Sequence, residues 1–272
     1  MSQAEAYEQF RTLHARKGGF IMPNAWDGAS AVLLKREGFE ALGTSSFAIA
    51  LAMGKQDGFH AVPREDAVAN GALMARLTGL PVNGDLEDGF GPSPEDCVAT
   101  VEAAIAGGLA GLGIEDTTAD PANPIHGFDH AVARVRAAAK AARGRILLTA
   151  RADGFLHGRG DTDDAIRRLV AFAEAGADVL YAPLLPTMDA IRAAVQAVAP
   201  KPVNVLIGPG GSGVAFAELS AAGVARVSLG GALYRRAMSG LLEAAAAMRA
   251  GDLASAAQAV SGREIAKLLP PA

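Results

Sequence analysis

Pro81-Val82-Asn83-Gly84-Asp85-Leu86-Glu87-Asp88-Gly89-Phe90-Gly91, followed closely by Ser93-Pro94-Glu95-Asp96, reads as a strand tip, a glycine turn and a helix start. The apolar lead-in at Pro81 and Val82 runs straight into three carboxylates. Alternate residues of a strand face opposite sides, so Asp85 and Glu87 share one face and Leu86 takes the other. Ser93 offers an N-cap, Pro94 suits the first helical turn, and Glu95 and Asp96 sit at the positive end of the helix dipole. Two carboxylates two residues apart at a strand tip can hold a hard divalent cation. Mg²⁺ takes oxygen ligands and keeps several waters, so a few carboxylates plus substrate oxygens suffice. The alternative is an acidic turn that faces only solvent.

The same unit recurs on both sides of this stretch. Short apolar runs ending in polar or glycine residues fall at 20–23, 41–45, 82–85, 111–115, 146–151, 179–182, 203–207 and 227–230. Helical patterns fill the intervals at 29–37, 64–77, 163–175, 188–198 and 213–222, several of them closing on a glycine. Ahead of them Tyr7, Phe10 and Leu13 recur at helical spacing. Strand starts lie roughly 24 to 40 residues apart, room for one strand, one helix and two loops. Eight such units predict an α/β (β/α)8 barrel with extra helices at both ends; the rival is a doubly wound open sheet. No linker or composition shift divides the chain, so residues 1–272 are expected to form one barrel domain.

Composition narrows the function. Net charge is −4 with no basic stripe, which argues against nucleic acid and anionic membranes as partners. The single cysteine, Cys97, rules out an internal disulfide or a multi-cysteine metal site and suits a reducing cytoplasm. No apolar run approaches a membrane span, and no signal peptide precedes the first helix.

In such a barrel the active site lies at the carboxyl ends of the strands. The sequence puts there Asn24 and Asp27, then Thr44, Ser45 and Ser46, then Asp85, Glu87 and Asp88. Glu115 and Asp116 follow, then Arg151 and Asp153, Tyr181, Asn204, and Gly230 with Gly231. So many acids around one arginine repel one another unless a cation is present. Arg151 could grip an anionic substrate bidentately, or form a local ion pair with Asp153. The Ser45 and Ser46 N–H groups could hold a carboxylate, or simply make a turn. The glycines of 208–213, with Gly230 and Gly231, could grip a phosphate or serve as ordinary turns. No lysine lies at a strand end, which disfavours Schiff-base chemistry, and the five histidines form no zinc motif.

These strand ends resemble the isocitrate lyase/phosphoenolpyruvate mutase superfamily. The matching pieces are Pro23-Asn24-Ala25-Trp26-Asp27, Gly43-Thr44-Ser45-Ser46-Phe47, Gly54-Lys55-Gln56-Asp57, Asp85 through Gly91, Ile114-Glu115-Asp116 and Ala150-Arg151-Ala152-Asp153. The resemblance implies Mg²⁺ or Mn²⁺ beside Asp57, Asp85, Glu87 and Glu115, chelated by a small 2-oxo or 2-hydroxy acid. It implies that Ser45, Ser46 and Phe47 hold the substrate carboxylate, with Asn204 on the substrate side. Arg151 would bind the oxo or enolate end, and Arg151, Asp57 and Glu115 would form the catalytic set.

Two departures shape the expected reaction. Lyases of the superfamily carry a cysteine in the loop after strand four, where this chain has Thr117 to His126 and no cysteine. Phosphonate members carry Lys and Asn in that loop and His on strand six; here the loop offers Asn123 and the strand gives Ala182. The chemistry requiring least of the loop is decarboxylation or hydrolytic C–C cleavage of a small 2-oxo diacid such as oxaloacetate. The alternatives are P–C chemistry on phosphonopyruvate or phosphoenolpyruvate, a barrel that binds a 2-oxo acid without turnover, and a metal-independent barrel that grips phosphate. The resemblance also implies a homo-oligomer, a dimer of swapped dimers, built on the helix after strand eight. Leu233, Ala237, Leu241, Leu242 and Met248 give that helix an apolar stripe, and a second helix is expected over 252–269.

Overall fold

A computed structural model describes residues 1–208 and 213–269. Its eight strands are β1 (Phe20–Met22), β2 (Leu42–Gly43), β3 (Val82–Asp85), β4 (Gly111–Glu115), β5 (Leu147–Arg151), β6 (Val179–Tyr181), β7 (Val203–Leu206) and β8 (Arg226–Ser228). Every pairing is parallel, in the order β1-β8-β7-β6-β5-β4-β3-β2. The two edges then meet at a bridge between Asn24 and Gly43. There Ala25 N–H donates to Gly43 O at 2.8 Å and Gly43 N–H to Pro23 O at 2.9 Å. The sheet therefore closes into a (β/α)8 barrel, and the open-sheet alternative is excluded.

Helix α1 (Gln3–Ala15) precedes the barrel, and α2 (Gly28–Arg36) follows β1. After β2 come α3 (Ser46–Ala52) and α4 (Arg64–Thr78). One helix then follows each strand: α5 (Pro94–Ala106), α6 (Phe128–Ala142), α7 (Thr162–Ala175), α8 (Met188–Val198) and α9 (Phe216–Ala221). Past β8 lie α10 (Ala232–Arg249), α11 (Leu253–Ala256) and α12 (Gly262–Leu268). Ser93 caps α5 in a capping box with Asp96, as its position predicts.

Three local expectations are corrected. The segment after Ser45 is a short helix, with Ser45 Oγ accepting from Ala48 N–H. The expected 252–269 helix is two short pieces, α11 and α12, interrupted near Val260 and Ser261. Strand eight begins at Arg226, which brings an arginine into the barrel. Of the glycine-rich turn at 208–213, residues 209–212 lie outside the described residues.

Strand alternation sorts the barrel into two compartments. Leu112, Ile114, Leu148, Ala150, Leu180, Val203, Val205 and Val227 form one buried cluster with helix residues such as Val101, Val135, Leu169 and Phe172. The opposite face, turned inward, carries Asn83, Asp85, Glu115, Thr149, Arg151, Tyr181, Asn204, Arg226 and Ser228. Phe10 and Leu13 of α1 pack with Phe20, Met22, Ala110 and Leu147 and stopper one end. The apolar core is thus the sleeve between strands and helices, which leaves the lumen free to be polar.

Candidate active site

The lumen opens at the carboxyl ends of the strands as a cavity of about 570 Å³. It is lined by Ser45, Ser46, Phe47, Asp57, Asp85, Glu87, Glu115, Arg151 and Asn204, so these nine residues meet in one cavity. Parallel strands deliver this convergence because corresponding strand ends share one rim.

Arg151 is the hub. Its Nη1 lies 2.8 Å from Asp85 Oδ1 and 2.9 Å from Glu115 Oε1. Its Nε and Nη2 engage Asp153 at 3.1 and 2.6 Å. Of the expected alternatives for Arg151, the ion pair with Asp153 is the one present, and the guanidinium also lines the cavity. Burial works against its charge, but the three carboxylates hold it well above its ordinary pKa. Asp153 is itself oriented through its N–H, which donates to Asp116 Oδ1 at 2.8 Å, while Asp116 pairs with Arg168 at 3.1 Å. The ring of Tyr181, next to Arg151 in register, lies 5.1 Å from the guanidinium carbon.

Asp85 is gripped on both oxygens. Oδ2 accepts from Ser46 N–H at 2.9 Å and Ser46 Oγ at 3.0 Å, while Arg151 takes Oδ1. Ser46 thus holds a protein carboxylate in this arrangement. Glu87, at a positive φ of 47°, accepts from His60 N–H at 2.7 Å. Burial pushes its carboxyl up to about 7 despite that bond, with Asp85, Asp88 and Asp57 adding repulsion. Asp57 is raised by burial and by Asp85, and Glu115 is raised well above the usual range by burial that Arg151 only partly offsets.

The donor set fits a hard cation in its chemistry: it is all carboxylate oxygen, desolvated, and mutually repelling. Among the described residues neither Asp57 nor Glu87 forms a salt bridge. The four carboxylates do not, however, form a ready shell. Among the described residues no three His, Cys, Asp or Glu side chains gather closely enough to hold an ion. Glu115 is turned onto Arg151 and Thr117, and Glu87 onto the His60 backbone.

Several strand-end residues serve elsewhere. Asp27 caps α2 through Ser30. Asp88 is buried outside the cavity, where its Oδ1 meets His60 Nε2 at 2.7 Å. The backbone of its turn is clamped by the buried Arg134, which donates to the carbonyls of Asp88 and Gly91. Asn24 stitches the barrel seam: its Nδ2 donates to Thr44 O at 2.7 Å, and its Oδ1 accepts from Leu229 and Gly230 N–H at 3.0 and 2.9 Å. A side chain on Gly231 would collide with the Phe47 ring, so this glycine is explained by packing rather than phosphate. Cys97 is buried away from the cavity, with its thiol pushed up to about 11 by burial, and is no acid–base group there.

The cavity also holds residues that the strand-end reading passed over, among them Asn83, Thr149, Arg226, Ser228, Phe59 and His157. The first four lay in plain alternation with Asp85, Arg151 and Gly230. Phe59 and His157 come from loops, and only the fold brings them to the mouth.

Comparisons with known proteins agree with this fold. Residues 10–249 match a family model described as phosphoenolpyruvate phosphomutase. A Burkholderia cenocepacia J2315 structure described as a candidate lyase/mutase is 45% identical with a TM-score of 0.93, over 97% of this chain and 95% of that one. An uncharacterised protein of Mycobacterium tuberculosis is 35% identical over 245 residues, 89% of this chain and 90% of its own length. The structure of oxaloacetate acetylhydrolase is 25% identical with a TM-score of 0.85, over 97% of this chain and 93% of that one.

Proposed function

Because the chain belongs to the phosphoenolpyruvate phosphomutase family, within the isocitrate lyase/phosphoenolpyruvate mutase superfamily of lyases and phosphonomutases, we propose that it cleaves a C–C bond of a small 2-oxo diacid such as oxaloacetate, with Mg²⁺ or Mn²⁺. The observation that carries this reading is Arg151, buried among Asp85, Glu115 and Asp153 at the mouth and facing the cavity. Decarboxylation or hydrolysis next to a 2-oxo group leaves an enolate, and a fixed guanidinium stabilises that developing charge without reorganising. Asp85 is the principal metal ligand in this reading, with Asp57, Glu87 and Glu115 supporting it. The ion, when bound, supplies Lewis acidity at the 2-oxo group. Ser45, Ser46 and Phe47 hold the substrate carboxylate. That role asks Ser46 to share its N–H and hydroxyl between Asp85 and substrate. Asn204 lies on the wall beneath.

The reading suits the missing loop cysteine, since an enolate formed by loss of CO2 needs no strong base to start it. A second reading is favoured by the family match itself: mutase or hydrolase action on the P–C bond of phosphonopyruvate.

One panel decides between them. Oxaloacetate, malate, 2-methylisocitrate and phosphonopyruvate are incubated with Mg²⁺ and with chelator. Formation of pyruvate, oxalate, phosphate and phosphoenolpyruvate is scored against enzyme-free blanks. Chelator-sensitive pyruvate or oxalate from oxaloacetate supports the first reading, and phosphate or phosphoenolpyruvate from phosphonopyruvate the second. No turnover of any of them leaves a binding barrel. Asp85→Ala should abolish the metal-dependent signal while the protein stays folded.

A further inference from the structure

Beneath Arg151 lies a second buried arginine with a different environment. Arg226, at the start of β8, is 2% exposed, yet it lines the cavity. Its Nε donates to Asn204 Oδ1 at 2.9 Å and its Nη2 to Thr149 Oγ1 at 3.1 Å. Its Nη1 lies 3.2 Å from His14 Nε2. His14 Nδ1 is in turn 2.8 Å from Phe10 O, which places its proton there and leaves Nε2 to accept from Arg226. All three partners are therefore neutral.

No carboxylate lies within 4.0 Å of this guanidinium among the described residues, in contrast to the three around Arg151. Burying a cation without a counter-charge is costly, and a buried arginine is usually paired. Here the cost is visible: burial lowers Arg226 to about 9, with Arg151 adding repulsion. A guanidinium has five N–H groups, and these contacts occupy three. Nearby the floor has further spare polar capacity. The Ser228 and Thr149 hydroxyls line the cavity beside Arg226, whereas the buried Asn83 Oδ1, without a partner among the described residues, is an acceptor and does not itself favour an anion. Arg226 lines the same cavity as Ser45, Ser46 and Arg151, so a ligand anchored at the rim shares one continuous space with the floor.

We infer that Arg226 is an anion-binding group of the cavity floor, taking a carboxylate-type anion with the help of Thr149, Asn204 and Ser228. The anion is either the far carboxylate of a diacid seated at the mouth or a free small anion. The first case rests on the proposed function and deepens it, making Arg226 the residue that selects diacids over monoacids. Charge-assisted hydrogen bonds of about 1.5–3 kcal/mol correspond to roughly 10- to 100-fold in affinity.

The test is binding, independent of turnover. Calorimetry compares malate with lactate, which differ only by the far carboxylate, on wild type, Arg226→Gln and Arg226→Lys with Mg²⁺ present. Thermal melting with and without nitrate is read on the same proteins. If the floor takes the far carboxylate, wild type prefers malate by about tenfold or more. Arg226→Gln then brings the ratio near one with lactate binding retained, and Arg226→Lys keeps part of it. If it takes a free anion, the malate-to-lactate ratio is near one in all three. Nitrate then raises the melting temperature of wild type and Arg226→Lys but not of Arg226→Gln. The inference is overturned if Arg226→Gln keeps the wild-type ratio and the wild-type nitrate response. Should Arg226→Gln fail to fold, Arg226→Lys and wild type decide: a wild type with neither malate preference nor nitrate response overturns it. Loss of diacid preference without any C–C cleavage would leave this inference standing and remove the proposed reaction. Oxaloacetate turnover with an unchanged ratio would do the reverse.

Discussion

At the residue scale, two arginines divide the lumen. Arg151 is the charge at the reacting end, and Arg151→Met should lower kcat/KM on the productive substrate by about 100-fold or more. The same change leaves Asp85, Glu115 and Asp153 facing one another, so a drop in melting temperature should accompany the kinetic loss, most clearly without Mg²⁺. A variant that keeps full turnover would remove Arg151 from the catalytic set. His14, under Arg226, gives a pH test. Burial, then Arg226, lowers it from 6.5 to about 3. The folded state thus prefers the neutral ring. That stabilisation is complete above about pH 6.5 and is lost as pH falls from there toward 3. Wild type should therefore lose melting temperature between pH 7 and 5 more steeply than His14→Gln, which cannot charge. Parallel curves for the two proteins would show that His14 is not buried as a neutral ring.

At the element scale, β1 and β2 are very short and meet at only one bridge, so the seam depends on a side chain. Asn24 makes three side-chain hydrogen bonds there, one across the seam to Thr44 beyond β2 and two to Leu229 and Gly230 beyond β8, the neighbour of β1 on its other side. At roughly 1 kcal/mol each, with orphaned backbone groups left behind, Asn24→Ala should cost about 2–4 kcal/mol. Urea denaturation would read this as a lower midpoint at unchanged slope. The seam also lies next to Ser45 and Ser46, so the loss should weaken substrate binding.

At the scale of the whole molecule, the barrel is closed but its last helices are not covered. Of α10 only Tyr234 is buried, while Leu241, Leu242 and Met248 are 61, 70 and 58% exposed. Leu253 and Val260, further along the chain, are also exposed, at 67 and 64%. Exposed large apolar side chains in this number on helices past a closed barrel suit burial against a partner. We propose that a second copy of the chain covers them, by exchange of α10 as the family resemblance implies. Light scattering at micromolar concentration should give a dimer or tetramer, and a monomer would exclude the exchange. Removing residues from Asp252 onward should yield a smaller oligomer or an insoluble chain. Among the described residues no helix is long and apolar enough to cross a membrane, so this surface is not a span.

Much of this was legible in one dimension. The period-two alternation within Gly111–Glu115 and Leu147–Arg151 matches the strands as they stand, because such strands bury one face against helices and turn the other into the lumen. The helix stops at Gly79 and Gly176 are legible for a similarly local reason, since both glycines take a left-handed turn there. The convergence of Asp85, Glu87, Glu115 and Arg151 on one mouth also followed from the sequence, since every strand of such a barrel ends on the same rim. What only the tertiary structure decided is which polar groups meet. Asp27 and Asp88 stand beside site residues in sequence yet serve a helix cap and a buried turn. Arg226, one residue ahead of the expected eighth strand, reaches the cavity floor. Side-chain partners are chosen by packing between distant segments such as α1 and β8, and those long-range contacts leave no periodic trace in the local sequence.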